Sequence, residues 1–388
     1  MRRRLVACLL TALCAAALCP AAEITFKRTR LDGEFRAEGV AVGDFNCDGK
    51  PDVGAGSVYY AAPDWKMVPV WEKAEVFPVK GYSPVFCCFA DDVNADGRTD
   101  LIEVDYPGKQ TWWYENPGPR GGPWQKREGI AVTNNESPLF DDLTGDGQRE
   151  MICGYSPDPK NTDGPAKCMI FAGPGANPDE PWPIHVISKP DAPGTRKYAH
   201  GLGVGDLNGD GRRDVLIPQG WWEAPQDRAQ GPWAFHPAPL GEDAAHMVVD
   251  DFDGDGDNDV VSSSAHRYGV WWHEQTPEGW KTHEIDKSFS QTHAVCLVDI
   301  NGDGLNDFVT GKRWYAHNGR DPGAEEPALL VWYELRRQRG RPAWTRHTID
   351  DDSGVGTQFE VADLNADGLL DVVTSNKKGV YYFEQVRK

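Results

Sequence analysis

Cysteine, basic charge and long apolar runs are all scarce in this 388-residue chain. Of its nine cysteines, Cys8, Cys14 and Cys19 fall within the first 22 residues. The other six are Cys47, Cys87, Cys88, Cys153, Cys168 and Cys296. They show no metal-knuckle spacing and are too few for a disulfide scaffold. Cys153 and Cys168 fall on neighbouring predicted strands and could pair in an oxidising compartment; buried thiols are the plain alternative. Lysine and arginine number 40 against 60 aspartate and glutamate, a formal charge of -20. That deficit argues against a nucleic-acid or anionic-membrane partner. Beyond the N-terminus no run of 18 apolar residues exists, so no integral membrane span is expected. A Gly-x-Ser-x-Gly nucleophile elbow is also missing, which leaves a serine triad without support.

What is present begins with a leader. Arg2, Arg3 and Arg4 precede the apolar stretch Leu5 to Leu18 and the small pair Ala21-Ala22. This is the layout of a secretory signal peptide over residues 1–22, so residues 23–388 should form a secreted or periplasmic protein of one domain. Fifteen Trp, 12 Tyr and 14 Phe supply ample surface to bury, which excludes disorder. The 42 Gly and 29 Pro suit many short strands joined by turns.

The dominant feature is a loop of the form Asp-x-Asn/Asp-x-Asp-Gly-x-x-Asp that occurs seven times, its starts 48, 50, 64, 45, 48 and 64 residues apart. Positions 1, 3, 5 and 9 offer side-chain oxygens, position 7 offers a backbone carbonyl, and the glycine at 6 permits a sharp reversal. The first loop presents Asp44, Asn46, Asp48, Lys50 and Asp52 in that order; the second presents Asp92, Asn94, Asp96, Arg98 and Asp100. The third, the weakest match, has Asp142, Thr144, Asp146, Gln148 and Glu150. The fourth has Asp206, Asn208, Asp210, Arg212 and Asp214, and the fifth Asp251, Asp253, Asp255, Asp257 and Asp259. The last two have Asp299, Asn301, Asp303, Leu305 and Asp307, then Asp363, Asn365, Asp367, Leu369 and Asp371. A hard cation fits this oxygen set: calcium, up to seven ions, with magnesium the lesser candidate because it demands stricter geometry.

Each loop is followed by a short apolar strand such as Asp214-Val-Leu-Ile217, then an aromatic one such as Val270-Trp-Trp-His-Glu274. A strand such as Trp280-Lys-Thr-His-Glu-Ile285 comes next. With the strand leading into the loop, each repeat holds four strands. The expected fold is therefore all-β, a seven-bladed propeller of four-stranded blades with a calcium loop in each blade. Residues 24–31 should complete the last blade and close the ring, removing an open sheet edge.

These loops resemble the FG-GAP/VCBS repeat family, also found in integrin alpha-subunit heads and many secreted bacterial proteins, across residues 24–388. The resemblance implies a calcium-loop propeller and leaves function open, since the family includes adhesion modules, carbohydrate binders and enzymes. A narrower likeness runs from Gln291 to Gly304, which is similar to a stretch in the propeller of fungal aldos-2-ulose dehydratases. That resemblance implies elimination of water from an oxidised sugar and singles out His293.

Candidate chemistry comes from residues that the repeat does not explain. His185, His236, His273, His283 and His347 occupy repeated strand slots and read as structural. His200 lies six residues before Asp206 and His293 six before Asp299, one shared register; His246 lies five before Asp251. His266 and His317 are also left over. Tyr198 and Lys197 precede His200, while Arg267 and Lys312 belong to other polar clusters. Two functions remain open: a carbohydrate or protein binding module, or a lyase or dehydratase acting on an oxidised sugar or uronic acid. In the second, His293, His246 or Tyr198 would abstract a proton beside His200, with Lys197, Arg267 or Lys312 opposing the developing negative charge.

Overall fold

A computed structural model describes residues 23–244 and 246–388; the signal-peptide reading of residues 1–22 lies outside the described residues. Among the described residues the chain is all-β, apart from a single 3-10 turn at Ala316–Asn318. The first sheet is an antiparallel meander of Ala41–Gly43, Asp52–Ala55, Val58–Ala61 and Lys66–Pro69. Further four-stranded sheets start with Cys87–Asp91, Leu139–Asp141, Thr292–Val298 and Phe359–Ala362. In the sheet begun by Phe359–Ala362 the outer strand is Ile24–Asp32, paired antiparallel with Gly379–Arg387 from Ile24↔Arg387 onward.

Burial falls from the inside outward. The second strands Asp100–Val104, Asp259–Ser263 and Asp307–Lys312 are buried at every position. The outer strands Ile184–Val186 and Ala234–Pro237 have no buried residue. Sheets that cover each other on both faces explain why the second strands lack the apolar-polar alternation of a half-exposed strand. The first strands adjoin one another in turn around an axis, and the strand Ala41–Gly43 meets both Cys87–Asp91 and Phe359–Ala362.

The expected seven separate four-stranded blades are corrected by the hydrogen bonding. Five four-stranded blades stand alone, and one curled eight-stranded sheet replaces the other two expected blades. It forms because Leu202–Gly205 and His246–Asp250 pair in parallel, Leu202↔His246 and Gly203↔Met247. Two glycines allow that approach: a Cβ on Gly203 would sit 2.6 Å from the Met247 carbonyl oxygen, and one on Gly205 would sit 2.5 Å from Val249 Cβ.

The acidic loops share a common hydrogen-bond scheme. The Asp44 carboxylate accepts from the Asp48 and Gly49 amides at 3.0 and 2.9 Å, and Asp206 accepts from Asp210 and Gly211 at 3.0 and 2.8 Å. The position-9 aspartates tie loop to sheet: Asp100 accepts from Val93 and from Asn116, and Asp307 from Ile300 and from Leu335. Burial pushes the Asp100 and Asp307 carboxyls up to about 7, and the carboxylates of their own loops push in the same direction. Cys153 and Cys168 are both free thiols; the register sets Cys153 opposite Ile170 and Cys168 opposite Tyr155.

Candidate active site at the mouth of the ring

The residue six places before each loop reaches one common region, because every repeat enters its loop along the innermost strand. These residues are Glu38, Phe86, Glu136, His200, His293 and Thr357 among the described positions. Neighbouring backbones link them: the Thr357 amide donates to the Glu38 carbonyl at 2.8 Å, and the Glu136 amide to Ala199 at 3.2 Å.

Arg313, 1% exposed, is the hub. Its guanidinium bonds Glu38 at 3.2 Å, bonds Glu136, and lies 3.2 Å from His293 Nε2. Its flanks face the rings of Tyr82 and Phe86 at 5.8 and 5.5 Å. Glu136 Oε2 lies 3.0 Å from His200 Nε2, which is itself 3.3 Å from His293 Nε2.

The charges sort themselves by position. Burial alone would raise Glu136, but the adjacent His200 and Arg313 charges outweigh it and hold its carboxyl well below the usual range. Burial alone would lower His200, but the Glu136 charge and hydrogen bond raise it. His293 has burial and the Arg313 charge acting together and is held well below the usual imidazole range. Opposed shifts within one buried network make it a candidate functional site.

Above this network lies a cavity of about 350 Å³. Glu136 and His200 form its floor, and Tyr82, Phe86, Tyr106, Tyr198, His266 and His317 its walls. Tyr106 and Tyr198 meet edge to face at 5.6 Å. Tyr198 has a left-handed backbone, φ 61°, and its carbonyl lies 2.9 Å from His200 Nδ1. That contact fixes the ring of His200, whose Nε2–H then donates to the Glu136 carboxylate.

The sequence-selected residues are distributed as follows. His200 and His293 are in the network and Tyr198 is in the wall. Lys197 does not line the cavity; it is bonded to Asp163 at 2.9 Å, with its ammonium 5.3 Å from the Tyr198 ring centre. His246 is buried apart from this cluster and makes no side-chain contact with it; burial lowers it to about 4. Arg267 is a surface side chain 3.7 Å from Glu242. The Lys312 ammonium is buried behind the site, bonded to Ser290 at 3.1 Å and to the Gly323 carbonyl. Glu38, Glu136, Arg313 and Asp321 were not among the chosen site residues. For Glu38 and Glu136 the signal was available, since both share the register of His200 and His293.

Among the described residues four clusters present at least three metal-ligating atoms within 4.8 Å of one another: Glu136/His200/His293, His266/His317/Asp321, Asp142/Asp146/Glu150 and Asp251/Asp253/Asp255. The first converges a Glu136 oxygen with the Nε2 atoms of His200 and His293, but Arg313 already bonds Glu136 and lies 3.2 Å from His293 Nε2, so an ion would enter only by displacing that guanidinium. The two acidic clusters fall in the third and fifth loops. In the third, Thr144 donates to Glu150 at 3.0 Å. In the second and fourth, the guanidiniums of Arg98 and Arg212 bond Asp96 and Asp210, so a side-chain cation already faces those carboxylates.

Among the described residues no helix is long and apolar enough to cross a membrane. No curated protein matches the chain in sequence. Similar solved structures include an Agrocybe aegerita lectin described as recognising non-reducing terminal N-acetylglucosamine, 17% identical, with 85% of this chain and 81% of that one covered at a TM-score of 0.45. The exotype rhamnogalacturonan lyase YesX is 12% identical, with 94% and 74% covered at a TM-score of 0.47. Rhamnogalacturonan lyase YesW is 12% identical over the same shares at 0.45. At these scores the likeness carries no argument about ligand or reaction. A family model described as FG-GAP-like repeat matches residues 251–310. The expected seven-bladed assignment across residues 24–388 is thus corrected: the repeat likeness holds for that stretch, within a fold of five four-stranded blades and one eight-stranded sheet.

Proposed function

We propose that this protein acts on a carbohydrate at the mouth of its ring, as a lyase or dehydratase on an oxidised sugar or uronic acid. The observation that carries the reading is the meeting of Glu136, His200 and His293 beneath an aromatic-walled pocket, with Arg313 buried behind them. Aromatic faces suit the apolar sides of a sugar ring, and the charged floor suits its oxygens. Once the Arg313 guanidinium is displaced, Glu136, His200 and His293 would hold a divalent cation, whose chemistry when bound is to polarise a carbonyl or carboxylate oxygen. Tyr198 in the wall, acting as the phenolate after giving its own proton to solvent, takes the proton alpha to that carbonyl and returns to the neutral phenol. The electrons of the broken C–H bond form a carbon–carbon double bond, and the group on the next carbon leaves with its bonding pair. Lys197, paired with Asp163, keeps its ammonium 5.3 Å from the Tyr198 ring centre. Calcium in the acidic loops and secretion or a periplasmic location complete this reading, since a stable extracellular scaffold suits an enzyme of free saccharides.

The test uses oxidised sugars and uronate oligosaccharides, followed by ultraviolet absorbance of an unsaturated product. Tyr198→Phe should lower turnover by roughly 100-fold or more while leaving metal binding unchanged. His200→Gln should lose both. Saturable sugar binding with no product from any of these substrates would replace the lyase with a binding module, which the aromatic walls alone would serve.

A further inference from the structure

Beside the Glu136 centre stands a second group that the proposed reaction does not use. His266 comes from the connection between Asp259–Ser263 and Tyr268–Glu274, and His317 from the Ala316–Asn318 turn. Their rings are 4.7 Å apart. Both aim Nδ1 at one oxygen of Asp321: His317 at 2.9 Å and His266 at 3.5 Å. Gln291, 0% exposed, donates its amide to the same oxygen at 3.3 Å.

Three features separate this corner from an ordinary histidine–aspartate pair. His266 Nδ1 is shut from solvent and meets only Asp321, at 3.5 Å and outside hydrogen-bond geometry, while Gln291 Oε1 and Asn318 Oδ1 are buried without partners. Polar atoms rarely stay unsatisfied in such numbers at one place unless something else meets them. The turn bearing His317 is also held in a costly conformation, with Tyr315, His317 and Asn318 all left-handed at φ 58°, 49° and 55°. The Tyr82 hydroxyl pins that turn by accepting the His317 amide at 3.1 Å. Finally, both imidazoles line the pocket cavity, so the group is open on one side.

We propose that His266, His317 and Asp321 form a second divalent-cation site, for zinc or a similar first-row metal, in the wall of the same pocket. Two imidazoles and a carboxylate are the donor set such ions favour, and three protein ligands leave a position for a substrate oxygen. His200 and His266 touch edge to face with ring centres 4.5 Å apart, so the two centres are neighbours. The site stands on its own residues and does not rest on the lyase reading.

Cobalt(II) is the probe, titrated into metal-stripped protein in excess calcium so that the acidic loops stay filled. Stoichiometry is read by calorimetry and ligand geometry by visible absorbance. The wild type should bind two cobalt equivalents. His317→Gln and Asp321→Asn should each bind one, and His200→Gln should keep the equivalent that they lose. Circular dichroism checks folding; if His317→Gln fails to fold, the near-isosteric Asp321→Asn decides. Wild-type stoichiometry in the Asp321 variant, whether one or two, would overturn the site. One equivalent in the wild type, lost in Asp321→Asn and kept in His200→Gln, would support this site and remove the Glu136 centre instead.

Discussion

Glu103 shows how a single buried carboxyl can set the pH response of this protein. It is 2% exposed, with Trp71 Nε1 donating to it at 3.2 Å. Burial pushes it up to about 8; Lys126, Tyr114 and Trp71 pull it back only in part, and the Asp105 charge adds to the rise. An acid raised on folding contributes stability that is complete below its unfolded pKa, near 4.5, and lost as pH rises through about 8. Glu103→Gln keeps an acceptor for Trp71 without the charge. Its unfolding free energy should therefore gain on the wild type between pH 5 and pH 8, by a few kcal/mol at order of magnitude, read from urea unfolding at each pH. A constant gap over that range would show that burial does not control this group. Other single residues differ in how far the sequence announces them. The six-residue offset marks Glu38 and Glu136 as clearly as His200 and His293, and it separates His246, which is one position out of register and buried elsewhere. Arg313, His266, His317 and Asp321 carry no such mark. Arg313 follows the end of a second strand, and the other three lie on connections whose paths depend on turns such as the left-handed run near His317.

Strands were legible at the level of elements because loop spacing and apolar runs locate them, whereas their grouping into sheets was not. A rung of Trp, His and Glu repeats along the outer strands. Trp221 stacks on His236, Trp272 on His283 and Trp332 on His347 at 4.3–4.4 Å. Each of these histidines bonds a glutamate, Glu223, Glu274 or Glu334, at 2.7–3.0 Å. Those histidines and glutamates are engaged with each other in the outer strands, away from the pocket floor. The merger of Leu202–Gly205 with His246–Asp250 depends instead on side chains that are absent. In sequence, Gly203 and Gly205 read only as weak strand formers, while in the fold they admit a neighbouring backbone. Gly205→Ala should destabilise the protein by about 1–3 kcal/mol through the contact with Val249. Urea unfolding checks this through its midpoint. An unchanged midpoint would mean that the parallel pairing is loose enough to absorb a methyl group.

Across the whole molecule, the acidic excess becomes a problem of where the negative charge sits. The chain carries -20 overall, and its loops hold several carboxylates each within a few residues. Loop amides engage many of these oxygens and arginines meet Asp96 and Asp210, but the third and fifth loops crowd carboxylates within 4.8 Å with no such arginine among them. Like charges held that close oppose the folded ring unless a cation joins them. Because the position-9 residues also anchor the sheets, an ion held by a loop would stabilise the blade behind it. An ion bound only in the folded state contributes about 2.7 kcal/mol per site at a hundredfold excess over its Kd. Two or more occupied loops should then make chelation by EGTA lower the melting temperature by about 5 °C or more, with the loss reversed by calcium. Recovery with magnesium alone would shift the assignment to the smaller ion. A melt indifferent to EGTA and to both ions would mean that the amide and arginine contacts suffice, and that the acidic loops are turns held by hydrogen bonds.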